Sequence, residues 1–222
     1  MNNLRLKITS GVLAAYLFSV SLWGFEDFRY YLLAAAIALA AVAFSNRKRG
    51  RQMILPLLLV IGYFGSLAAI SWLPGKILLG LLVAMLYYLY RLAPAADEPA
   101  TLATGFLLLW FIWSWHFFFP LAWYNLLLLI FASFFLLYTA IFHDLLVSLV
   151  AALAMVEVAW AEAYWPVHFL TAAVMSFAVF YAISVGSREY FSGRLTRKKL
   201  YFQAGLILIV LTLTLFSSPW LP

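Results

Sequence analysis

From residue 8 to residue 217 the chain is a succession of apolar runs separated by short polar breaks, each run near the length that crosses about 30 Å of hydrocarbon. In lipid the backbone must satisfy its own hydrogen bonds within each segment, so such runs fold as helices. The strict polar–apolar alternation of a membrane-spanning barrel is absent. The expected fold is therefore all-α, a polytopic transmembrane helical bundle of about nine spans. These are expected at 8–24, 29–45, 53–73, 76–92, 101–119, 121–142, 145–164, 167–187 and 200–217. Of the 222 residues 67% are hydrophobic and 10% charged, which leaves too little polar surface for a soluble domain.

Charge placement orients the bundle. With the amino terminus inside, the inner segments hold Arg5, Lys7, Arg47, Lys48, Arg49, Arg51, Arg91, Arg188, Arg194, Arg197, Lys198 and Lys199, and the outer ones only Arg29 and Lys76. This is the positive-inside pattern, with the carboxyl terminus outside. It also accounts for the net charge of +6, so no nucleic-acid partner is expected. The basic loops at 46–52 and 187–199 are candidates for contact with anionic lipid headgroups. The amino-terminal run ends in LWGFEDF without a small-residue cleavage site and is expected to stay as the first span.

Pro74, Pro120 and Pro166 fall 46 residues apart, each at an expected outward turn and each preceded by aromatic residues. The stretch from Thr101 to Phe142 is too long for one crossing, which makes Pro120 a turn rather than a kink. The segment 93–100, rich in alanine, proline and acid, reads as an inner linker between a front bundle, 1–92, and a back bundle, 101–222. The back bundle holds the unusual polar residues. The chain has no cysteine, which excludes disulfides, thiolate catalysis and iron–sulfur clusters. Nucleotide-binding fingerprints are also absent.

The candidate site centres on MVEVAWAEAYWPVHFL, Met155 to Leu170. Glu157 lies nine residues before Pro166, about 13 Å below the turn, so it is expected to need a partner inside the bundle. It is read either as a proton-carrying or cation-coordinating group, or as a neutral acid that fixes helix packing. Glu162 is about 6 Å below the turn and is expected to sit solvated at the interface. Rotation of about 140° between the two acids argues against a carboxylate dyad. Trp160 sits deeper, as do Trp110 and Trp113, and each indole N–H there needs a partner. Asn125 is a candidate partner for Glu157 or Trp160. His116 and His168 flank the outer turns, and with Glu162 they make the only metal-ligand set worth weighing. The set comes from three spans and lacks any local HExxH spacing, so neither a metal nor a cofactor is expected. His143 and Asp144 read as a turn and helix cap.

The last third, with EVAWAEAYWPVHF, then REYFSGRLTRKKL and SSPW, resembles a group of small bacterial multi-pass membrane proteins without an assigned activity. The resemblance implies a bacterial inner-membrane setting. The residues themselves favour a transporter-like or accessory membrane component with a buried, proton-linked glutamate in an outward-facing pocket. An accessory role would bring a membrane-protein partner. An enzyme of the outer leaflet acting on a lipid-linked or peptide substrate, and a purely structural subunit, are the alternatives.

Overall fold

A computed structural model of the chain describes residues 3–22, 28–46, 53–92, 97–119, 122–165 and 168–217. Among these residues the protein is all-α, with nine helices: α1 Asn3–Leu22, α2 Phe28–Asn46, α3 Ile54–Ala69, α4 Leu73–Leu92, α5 Asp97–Phe118, α6 Trp123–Phe142, α7 Leu145–Ala163, α8 Phe169–Phe191 and α9 Arg197–Ser217. Five of them, α4 to α8, are long and apolar enough to cross a membrane. Helices α1, α2 and α3 carry shorter apolar stretches, and α3, with 16 residues, extends about 24 Å against a hydrocarbon thickness of about 30 Å.

The chain forms two compact units, Met1–Phe111 and Ile112–Pro222, whose boundary falls inside α5. Residues 93–96 of the expected linker lie outside the described residues, and Asp97–Ala100 already form the first turn of α5. Asp97 and Glu98 favour a helix start there, because carboxylates oppose the positive end of the helix dipole. Pro74 occupies the first turn of α4, where its missing N–H costs nothing. Pro120 and Pro166 lie outside the described residues. The helices around them are nevertheless separate, since α5 ends at Phe118 before α6 begins at Trp123, and α7 ends at Ala163 before α8 begins at Phe169.

In the first unit one apolar cluster joins Leu13 and Leu17 of α1, Ala38 and Val42 of α2, Leu59 and Leu67 of α3, Val83 of α4 and Leu107 of α5. Two buried polar side chains bond across helices in this core. Tyr63 Oη donates to the Leu17 carbonyl at 2.6 Å, and Ser66 Oγ to the Leu107 carbonyl at 3.1 Å. Glycine sets the closest helix approaches. A Cβ at Gly80 of α4 would overlap the Ser21 side chain of α1, and one at Gly65 of α3 would overlap the Phe111 ring. Near the start of α4, Lys76 Nζ donates to Tyr31 Oη at 3.0 Å.

In the second unit α6 packs along α7, and α8 packs against both α7 and α9. Leu126, Ile130, Phe134 and Tyr138 of α6 are fully buried, with Phe180 of α8 edge-on to Phe134. The α6–α7 turn takes two residues. His143 ends α6 with φ 59°, a left-handed conformation that closes a helix, and Asp144 caps α7 by accepting from Leu146 N at 2.8 Å and Val147 N at 3.1 Å. Between α8 and α9, Gly193 at φ 67° closes a Schellman turn: Gly193 N donates to the Tyr190 carbonyl and Arg194 N to the Glu189 carbonyl. Lys199 pairs with Glu189 across this turn at 2.5 Å.

Candidate functional site

The polar centre of the second unit is built from α5, α7 and α8. Helix α8 presents a stripe of small buried residues, Ala172, Ala173 and Ser176, and small residues let helices approach closely enough for side chains to bond across the contact. Ser176, wholly buried, connects two of its neighbours. Trp113 Nε1 on α5 donates to Ser176 Oγ at 3.1 Å, and Ser176 Oγ donates in turn to Glu162 Oε2 on α7 at 2.5 Å. The chain is directional: an indole that can only donate feeds a hydroxyl that accepts and donates, which ends on a carboxyl oxygen.

Glu162 is 2% exposed, and its second oxygen, Oε1, accepts no hydrogen bond from any described residue. It lines a cavity of about 250 Å³ together with Trp113, His116, Phe117, Trp165 and Phe169. His116 Nδ1 is also buried and without a described partner, and the imidazole stands edge-on to Trp113 at 6.0 Å between ring centres. Two residues that line one small, aromatic-walled cavity thus each carry a buried acceptor-capable atom without a described partner. A second cavity, about 280 Å³, meets the other side of Glu162 and Trp165 and continues between α8 and α9 along Met175, Val179, Ile207 and Leu211. The volumes suit a small ion, a few waters or a headgroup rather than a large cofactor.

The structure reverses the expected roles of the two acids. Glu157 is exposed on α7, beside the exposed Trp160, while Glu162, expected to be solvated, is the buried one. The reason is helical phase. Five residues turn the helix by about 140°, so only one of the two acids can share the buried face with Ser148, Ala152, Met155 and Ala159. Trp160, expected to need a partner at depth, is 52% exposed and packs edge-on against Tyr164. Of the other deep tryptophans, Trp113 has Ser176, and Trp110 Nε1 has no described partner. Asn125 is exposed at the start of α6 and forms no bond to Glu157 or Trp160.

His168 caps α8, its Nδ1 accepting from Leu170 N at 3.3 Å, and its ring lies against Phe169 and Phe117. It does not line the cavity with His116 and Glu162. No group of three metal-ligand side chains exists among the described residues, so the weighed zinc set of His116, His168 and Glu162 is not assembled. No family model, curated protein or solved structure matches this chain. The assignment of function therefore rests on the cavity.

Sequence reasoning missed Ser176 altogether. The signal lay in the spacing Ala172–Ser176–Phe180–Ser184, a buried stripe on α8 with small residues at three of four positions.

Proposed function

We propose that the protein is a transporter-like membrane component in which Glu162 handles a proton or cation inside an aromatic-walled cavity. The observation that carries this reading is that Glu162, which lines the cavity, has one carboxyl oxygen held by Ser176 and a second, buried oxygen with no partner among the described residues. A buried ionised carboxylate needs a cation or several donors, and losing one partner of such a group costs several kcal/mol on the scale of about 3–5. Glu162 therefore holds a proton, or it faces a cation that enters the cavity. His116, which lines the same cavity and has a ring nitrogen without a described partner, is the proposed partner in that proton exchange.

In this proposal all nine helices cross the membrane, the amino terminus lies inside, and the cavity opens outward. The support is the distribution of basic residues along the sequence. The setting proposed is a bacterial inner membrane, in keeping with the sequence resemblance. Arg194, Arg197 and Lys198 at the α8–α9 turn meet anionic headgroups on the inner side.

The test uses vesicles loaded with a pH-sensitive dye and given an inward sodium gradient. Wild type is expected to move protons in exchange, and Glu162→Gln to abolish the flux while keeping the thermal stability of the wild type. Equal flux in both proteins would refute the assignment. An accessory role for the same cavity is recognised by stoichiometric copurification with another membrane protein and no flux. The shared cavity of His116 and Glu162 also favours a second reading, acid–base catalysis on a lipid-linked substrate, which predicts product formation from such a substrate without ion movement.

A further inference from the structure

The Glu162 cavity has a neighbour across Glu162. Its far wall, Glu162 and Trp165, is shared with the apolar cavity between α7, α8 and α9. That cavity shares Val179 and Ile207 with a third, about 560 Å³, which continues between α8 and α9 past Ala182 and Gly186 to Gln203. Along α8 Met175 to Gly186 spans about 16 Å, and the walls are mostly Ala, Val, Ile and Leu, with Ser187, Tyr190 and Gln203 at the far end. One end of this row of adjoining cavities is thus polar and aromatic, and the rest is mostly apolar.

The polar end has the chemistry of an ammonium site. The rings of Trp113, Phe117, Trp165 and Phe169 line it, and aromatic faces attract a desolvated cation. The unpartnered Oε1 of Glu162 supplies the counter-charge, and His116 Nδ1 a second acceptor. Glu162 Oε1 and His116 Nδ1 can each accept a hydrogen bond, so a headgroup that donates fits them.

We propose that this space binds a single-chain cationic amphiphile, with its primary ammonium in the cage at Glu162 and its hydrocarbon tail along the α8–α9 groove. The proposal rests on the reading of Glu162 as a cation-handling group and names the class of cation it takes. At the far end Gln203 Oε1 packs against Gly186, within 3.2 Å of where a Cβ would stand.

The experiment uses the full chain in phosphatidylcholine nanodiscs and two probes, a long-chain primary amine carrying a diazirine in its tail and the matching fatty acid. The expected result is adducts of the amine at Val179, Ile207 or Gly186. Labelling should fall about tenfold with the fatty acid, and about tenfold with the amine on Glu162→Gln, the loss expected for one charge-assisted contact. Val179→Phe and, independently, Ile207→Phe should block the tail and reduce labelling, whereas Leu213→Phe on the exposed face of α9 should not. Equal labelling by both headgroups, adducts spread over Leu208, Leu213 and Phe216, or indifference to both groove substitutions would overturn the proposal. Proton or sodium flux that depends on Glu162, without amine binding in the groove, sinks this inference and leaves the transport reading standing. Amine binding in the groove without flux does the reverse.

Discussion

Ser176→Ala is the most incisive perturbation of the site, because one hydroxyl joins three helices. The substitution removes two hydrogen bonds and leaves both Trp113 Nε1 and Glu162 Oε2 buried without a partner. In membrane proteins interhelical hydrogen bonds average about 0.6 kcal/mol and reach about 1.7, so two of them are worth about 1–3 kcal/mol. Counting the loss as orphaned buried polar groups gives a similar or larger figure, about 1–3 kcal/mol for each group. A destabilisation of about 2 kcal/mol is expected for the full chain, measured by graded unfolding in bicelles. Trp113→Phe breaks only the first bond and is expected to cost less. The double variant should cost less than the sum by about 0.5–2 kcal/mol, since Ser176→Ala has already removed what Trp113→Phe would remove. If Ser176→Ala lies within about 0.3 kcal/mol of the wild type, and the two substitutions add, the connected chain is not a stabilising unit and the reasoning fails.

Three further substitutions test the surrounding fold by the same unfolding measurement. Glu157→Leu lies on the exposed face of α7 and is expected to change stability by no more than about 0.5 kcal/mol, or to raise it, in contrast to Ser176→Ala. Gly80→Ala forces a methyl group onto Ser21 and should cost about 1–3 kcal/mol. Adding Ser21→Gly should recover most of that loss, and failure of this rescue would show that the α1–α4 approach is not what limits residue 80. Asp144→Ala removes the cap that accepts from Leu146 N and Val147 N and should cost about 1 kcal/mol, while Asp144→Asn should be nearly neutral.

The all-α class and the helix positions were legible because apolar run length and punctuation depend on local sequence alone. Each of the nine expected spans corresponds to a helix among the described residues, with ends shifted by a few positions. Asp144 was legible for the same reason, since a cap is satisfied by amides two and three residues away. Length and apolarity suited to crossing a membrane are established for α4 to α8. Three-dimensional neighbours were harder to read. Nothing local in WFIWSWHFFF says that Trp113, rather than Trp110 or Trp115, meets a serine 63 positions away.

The inversion of Glu157 and Glu162 shows what kind of information was missing. Hydropathy and distance from a turn fix how far along a helix a residue lies, and by that measure Glu157 was the deeper acid. They do not fix where it lies around the helix. Helix α7 is apolar on every side, so the usual contrast between a greasy face and a wet one is lost. A different contrast does survive in lipid, the one between small and large side chains. Ser148, Ala152, Met155, Ala159 and Glu162 recur at steps of three and four and are buried, while Leu146, Val150, Leu153, Glu157, Trp160 and Tyr164 recur at the same steps and are exposed. Side-chain size thus sorts the two acids where hydropathy cannot. Glu162 ends a small-residue stripe that draws α7 against its neighbours, and closeness of that kind puts its carboxyl within reach of Ser176.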